Sequence, residues 1–104
     1  MSAQRTPPSA RLEVAVHGRV QGVGYRVFAA RAADRHGLTG WVANQRDGSV
    51  RAVAEGDDGE LRAWLEELRK GPAGGYVDRV IEQWSPATGR FATFEIQSGW
   101  HAGD

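Results

Sequence analysis

The chain of 104 residues contains no cysteine. That absence excludes a disulfide framework, a thiolate metal site and a cysteine nucleophile together. No apolar run reaches the ~18 residues that a membrane-spanning helix requires. Neither sign of charge is in excess, because 13 Lys and Arg stand against 13 Asp and Glu. There is then no bulk field to draw the protein onto nucleic acid. Histidine is scarce as well, and His17, His36 and His101 stand too far apart for metal-ligand spacing. The opening residues, through Pro7-Pro8 to Ala10, lack the apolar stretch of a secretory signal, so a cytoplasmic location is expected. What remains is ordinary globular composition, 40% apolar and 25% charged, in a chain long enough for one core and one domain.

The charge balance hides an asymmetry. Residues 1–52 carry eight basic and three acidic side chains, whereas residues 53–104 carry five basic and ten acidic. An anionic ligand is therefore to be sought in the first half.

Residues 1–10 read as a flexible lead-in and residues 98–104 as a similarly loose tail, apart from Trp100. Between them, residues 11–97 form the domain. Leu12, Val14 and Val16 alternate with polar or small residues, the period-2 pattern of a strand with one buried face. Gly18 to Gly24 is a glycine-punctuated loop. From Tyr25 the spacing Tyr25, Phe28, Ala29, Ala32, His36 marks one face of a helix that Gly37 ends. Leu38 to Gln45 reads as a strand, Arg46-Asp47-Gly48 as a hairpin turn, and Ser49 to Glu55 as the returning strand. Asp57 with Glu60 three residues on resembles a capping box. Leu61, Trp64, Leu65 and Leu68 follow on one helical stripe, which Gly71-Pro72 stops. Tyr76 to Trp84 is a further strand, Ser85 to Arg90 a turn, and Ala92, Phe94 and Ile96 alternate in a last strand. Trp64 and Trp84 are expected in the core. Two single-stripe helices can cover only one face of a sheet. The expected fold is therefore α+β: a ferredoxin-like two-layer sandwich with a βαββαβ core, an antiparallel sheet and both helices on one face.

The chemically informative segment is His17-Gly18-Arg19-Val20-Gln21-Gly22-Val23-Gly24-Tyr25-Arg26. Its glycines allow left-handed turns and a close backbone approach to a ligand. It opens directly into a helix N-terminus, where backbone N–H groups lack internal partners and the macrodipole favours an anion. Arg26 falls in the first turn of that helix, where a cation opposes the dipole unless a negative group lies beside it. A phosphate between loop and guanidinium resolves the conflict, and bidentate Arg–phosphate contacts are among the stronger hydrogen bonds. The P-loop pattern is excluded because no Gly-Lys pair exists, and the dinucleotide pattern because Val27 stands where a third small residue is needed. A plain strand-to-helix connection would use the same glycines.

The second constellation is Gly40-Trp41-Val42-Ala43-Asn44-Gln45-Arg46-Asp47-Gly48-Ser49-Val50. The Asn44 amide offers donors and an acceptor and can hold a water without titrating. Asn beside an Asp-Gly turn also serves ordinary turn chemistry.

Together the two segments resemble the signatures of the acylphosphatase family, from about Arg11 to Gln97, with Gly71-Pro72, Val77 and Phe94-Glu95-Ile96 included. Tyr25 stands where phenylalanine is common, which should only add a hydroxyl near the helix start. The resemblance implies the fold reached above and hydrolysis of acyl phosphates to a carboxylate and inorganic phosphate. It implies Arg26 as the phosphate-binding arginine and Asn44 as the residue that positions the attacking water. Arg19, Val20, Gln21, Gly22, Val23 and Gly24 would supply the donors around the phosphate, with neither metal nor cofactor. A non-catalytic phosphate-binding or interaction module of the same fold is the alternative, although binding alone would not require the Asn44 amide. Nucleic-acid binding on the sheet is disfavoured, since the aromatic-rich RNP1 pattern is missing. The remaining expectations are a small-molecule substrate, no membrane partner and a monomer. His17 is expected to pack beside the loop, His36 to meet the last carbonyls of its helix, and Asp47 to serve the turn.

Overall fold

A computed structural model describes residues 9–98. The elements are β1 (Ala10–Arg19), α1 (Tyr25–Arg35), β2 (Thr39–Asn44), β3 (Val50–Gly56), α2 (Asp58–Lys70), β4 (Tyr76–Ser85) and β5 (Phe94–Ile96). They form one five-stranded sheet in the order β4-β1-β3-β2-β5. The α+β sandwich is thus the observed architecture, with both helices over one face. On that face Leu12, Val14 and Val16 of β1 lie opposite Ala54, Ala52 and Val50 of β3. The alanine-rich face of α1 (Ala29, Ala32, Ala33) and the α2 stripe of Leu61, Trp64, Leu65 and Leu68 pack onto them, all buried. Alternation in the strands and the 3–4 spacing in the helices converge on a single core.

The antiparallel expectation holds for four strands, but β5 joins β2 in parallel, with Gly40, Trp41 and Val42 opposite Phe94, Glu95 and Ile96. The reason is topological. β4 occupies one edge of the sheet and β5 the other, so residues 86–93 must cross the sheet and enter β5 in the direction of β2. A buried carboxylate holds that crossing. Glu55, at the end of β3 and 1% exposed, accepts bonds from the Thr88 and Gly89 amides at 2.8–3.0 Å, from the Thr88 hydroxyl at 2.7 Å and from Arg11 at 3.2 Å. Burial pushes this carboxyl up, but the donors around it outweigh burial and hold it below the usual carboxylate range. The last strand is correspondingly short: the Ala92–Ile96 alternation reduces to three paired residues.

Ser9 and Ala10, read as lead-in, join the ordered fold. Ala10 pairs with Gly56, the Ser9 amide donates to the Gly56 carbonyl, and the Ser9 hydroxyl accepts from the Asp58 amide at the start of α2. The rest of the lead-in, and the tail from Gly99 with Trp100 and His101, lie outside the described residues. Trp64 is fully buried, its indole donating to the Ala29 carbonyl at 3.1 Å. Trp84 is only half-buried, because it lies near the end of the edge strand β4, and Arg62 stacks over its ring at 4.6 Å.

The helix termini show two further departures. Asp57 caps α2 by accepting from the Glu60 amide at 3.1 Å, but the Glu60 carboxylate does not turn back on the cap. It faces His36 Nδ1 at 2.7 Å, while His36 Nε2 faces Glu67 at 2.6 Å. His36 therefore bridges α1 to α2 instead of meeting its own helix carbonyls. Two carboxylates on the two ring nitrogens call for the imidazolium, the only form that donates from both. Their hydrogen bonds, Glu60 first and Glu67 second, raise the His36 pKa. Glu67, also bonded by Arg35, is drawn down to about 2. At the other end of α2, the Leu68 carbonyl would normally accept from residue 72, but Pro72 has no N–H. The buried Tyr25 hydroxyl supplies the donor at 2.7 Å, and burial pushes its phenol well above the ordinary value.

Two outcomes follow. Tyr25→Phe leaves the Leu68 carbonyl without this donor and is expected to cost about 1 kcal/mol, measured by urea unfolding. The His36 clamp contributes its full stability below the unfolded histidine value of about 6.5 and loses it as pH rises through the raised folded value. Glu67 contributes above its unfolded value of about 4.3 and loses its contribution as pH falls toward its depressed one. The Tm advantage of wild type over His36→Gln should accordingly shrink as pH rises above about 6.5 and through the raised folded value, and a constant difference contradicts the clamp.

Candidate active site

β1, β2 and β5 all run antiparallel to β3 or parallel to its antiparallel neighbour, so their C-terminal ends meet at one end of the sheet. The loop that leaves β1 there turns directly into α1. A register shift between His17 and Gly18 bends β1 against β4. Only glycine fits at 18, where a Cβ would sit 2.1 Å from the Tyr76 carbonyl oxygen. Residues 21–24 then form a turn, and Gly24, at φ 78°, precedes the helix in the left-handed region. No side chain caps α1, and its first turn contains no acidic residue. The positive end of the dipole and the Arg26 guanidinium thus stand together at the start of the helix.

A cleft of about 270 Å³ opens at this end of the sheet, lined by Val20, Gly22, Gly24, Tyr25, Arg26, Val27 and Asn44. Asn44, the last residue of β2, shares the helix-covered face with Val42 and is 2% exposed. Arg26 is half-buried, and its Nη1 donates to the Gln97 carbonyl at 2.9 Å. The Gln97 amide in turn donates to the Val42 carbonyl at 2.8 Å. The segment after β5 is therefore pinned to β2, and the arginine is pinned to that segment.

Of the residues singled out from the sequence, Arg26, Asn44, Val20, Gly22 and Gly24 share this cleft. Arg19 does not line it; it lies exposed at the end of β1, opposite Tyr76. Val23 packs against the core. The Gln21 side chain is directed to the β2–β3 turn, donating to the Gln45 carbonyl at 2.7 Å and the Ser49 carbonyl at 2.9 Å. Asp47 serves that turn as expected. The Ser49 hydroxyl and amide bond it at 2.6 and 2.9 Å and hold its carboxyl below the usual range. His17 lies half-buried beside a second, shallower depression with Gln45, Arg46, Ser49 and Arg51, apart from Arg26 and Asn44. Among the described residues, no group of three His, Asp or Glu could hold a metal ion, and no helix is long and apolar enough to cross a membrane.

Sequence reasoning missed two contributors. Val27 is 44% exposed at the cleft, and its place off the Tyr25–Phe28–Ala29 stripe was the available signal. The Gln97 carbonyl is main chain and leaves no mark in the residue pattern.

Loop, helix terminus and sheet end build a cleft into a ferredoxin-like α+β domain, at the carboxyl ends of its strands. The acylphosphatase family model matches residues 12–96. An acylphosphatase of Mesorhizobium japonicum is 50% identical over 71% of this chain and 83% of its own length. One of Salinibacter ruber is 42% identical over 84% of this chain and 92% of its own. The crystal structure of acylphosphatase from Bacillus subtilis superposes with a TM-score of 0.82 at 34% identity, covering 85% of this chain and 98% of that one. The chain belongs to the acylphosphatase family, and hydrolysis of acyl phosphates is the activity that this family and fold support.

Proposed function

We propose that the cleft hydrolyses small acyl phosphates without a metal, with the phosphoryl group held by residues 20–24 and Arg26 and the attacking water held by Asn44. The observation that carries this reading is the single cleft that unites the glycine loop, the guanidinium and the buried amide.

The chemistry asks for little more. In a mixed carboxylic–phosphoric anhydride the leaving group is a carboxylate, whose conjugate acid has a pKa of about 4. It departs without protonation, so no general acid is needed. The water oxygen bonds to phosphorus, the bond from phosphorus to the acyl oxygen breaks with its electron pair, and the water's proton passes to a phosphoryl oxygen. Such a loose transition state gains mainly from positioning and from donors facing the equatorial oxygens. The α1 terminus and Arg26 supply positive potential, and the Gln97 carbonyl fixes one edge of the guanidinium. Asn44 contributes by orientation rather than by abstracting a proton. The same proposal has the protein acting as a cytoplasmic monomer on diffusible anhydrides, with inorganic phosphate as a product.

The test is hydrolysis of benzoyl phosphate with EDTA present. Wild type should turn over at the rate seen without chelator. Arg26→Ala should lose about 10²-fold or more in turnover and weaken inhibition by phosphate. Asn44→Ala should lose about 10²-fold in turnover while phosphate still inhibits. Wild-type turnover in Asn44→Ala overturns the water-positioning role, and phosphate binding without hydrolysis by wild type favours a binding module.

A further inference from the structure

The Gln21 side chain leaves the cleft and reaches the β2–β3 turn. Its single nitrogen donates to the Gln45 carbonyl at 2.7 Å and to the Ser49 carbonyl at 2.9 Å. Those two carbonyls lie at the two ends of the turn. The Gln45 amide also donates to the Ser49 carbonyl at 2.8 Å, and the Gly48 amide donates to the Gln45 carbonyl at 3.1 Å. Gln21 therefore completes the hydrogen bonding at the mouth of the hairpin. Gln45 directly follows Asn44, and Gln21 directly precedes Gly22. One side chain thus joins the loop that borders Arg26 to the strand end that carries Asn44.

Few side chains can make this join. Two hydrogens on one nitrogen match two carbonyls, and a primary amide provides them without charge. A carboxylate of the same shape is acceptor-only and would face both carbonyls with repulsion. Asparagine is a methylene shorter.

We infer that Gln21 is a positioning residue that sets the distance between the phosphate-holding loop and the water-holding amide. This rests on the proposed acyl phosphate reading. The loop and Arg26 can hold phosphate whether or not the join is intact, whereas in-line attack needs both halves in register. Misplacement by about 1 Å is enough to cost up to about 10²-fold in rate. Loss of the join should consequently appear in kcat and leave phosphate affinity largely intact, a split that separates positioning from binding.

The experiment measures kcat, KM and the inhibition constant of inorganic phosphate on benzoyl phosphate for wild type, Gln21→Ala and Gln21→Glu, with thermal unfolding alongside. Gln21→Ala should lose about 10-fold or more in kcat with the phosphate constant changed less than about 3-fold. Gln21→Glu should be at least as impaired at neutral pH. It should regain turnover as pH falls toward about 4–5, where a protonated carboxyl donates one bond, a limb absent from Gln21→Ala. That limb also serves if the alanine variant folds poorly. Unchanged kcat in Gln21→Ala overturns the inference, as do parallel losses in kcat and phosphate affinity or a Gln21→Glu profile with no acid limb. A wild type that does not hydrolyse the substrate overturns the functional reading itself, and this inference with it. Failure of the variants beside an active wild type overturns the inference alone.

Discussion

A guanidinium in the first turn of a helix is in the wrong place by the ordinary rules of helix electrostatics. Arg26 stands there with no acidic residue in that turn, and the backbone carbonyl of Gln97, just after the edge strand β5, steadies it. Two positive features at one spot favour an anion beside them. The surrounding architecture makes sense as what holds this conflict in place: glycines that let the loop turn, small residues that let α1 sit close on the sheet, and a short fifth strand that brings Gln97 to the arginine.

Each support comes from a different part of the chain. Glu55 fastens the crossing segment that feeds β5, and β5 carries Gln97 to the carboxyl ends of β1 and β2. Tyr25 ties the first residue of α1 to the last turn of α2, and His36 ties the other end of α1 to the same helix. Helix α1 is thereby fixed at both ends. Rigid placement is what the proposed mechanism asks for, because preorganised donors gain by not having to reorganise as charge develops. On the proposed reading, an activated substrate lets so spare a set of side chains suffice, since its leaving group needs no proton and the water needs only to be aimed.

Much of this could be read from the residues because the information was local. The loop glycines, Arg26 in the first turn and the apolar stripes each occupy a few consecutive positions, and periodicity reports such features directly. Asn44 was singled out through the resemblance of its segment to a family signature, and the structure places it in the cleft with Arg26; its turn-like neighbourhood alone would have left it ambiguous. Other features depended on residues distant in the chain. Nothing near Glu55 announces that Thr88 and Gly89 will donate to it, and the parallel entry of β5 follows from where β4 lies in the sheet. Glu60 looked like half of a capping box because its spacing from Asp57 is right, but His36 from another helix claims its carboxylate. Tyr25 looked like a conservative departure until Pro72 revealed a carbonyl short of a donor. Gln21 was noted for its main chain, while its side chain reaches across to the neighbouring hairpin.

The central claim is that an anion settles between the loop and Arg26. Titrating inorganic phosphate into isotopically labelled protein and following backbone amide and arginine side-chain resonances tests it most directly. Saturable shifts concentrated on the amides of residues 20–26 and on the Arg26 guanidinium are the predicted result. Shifts centred instead on the second depression, around His17, Arg46 and Arg51, with those of residues 20–26 unmoved, would contradict it.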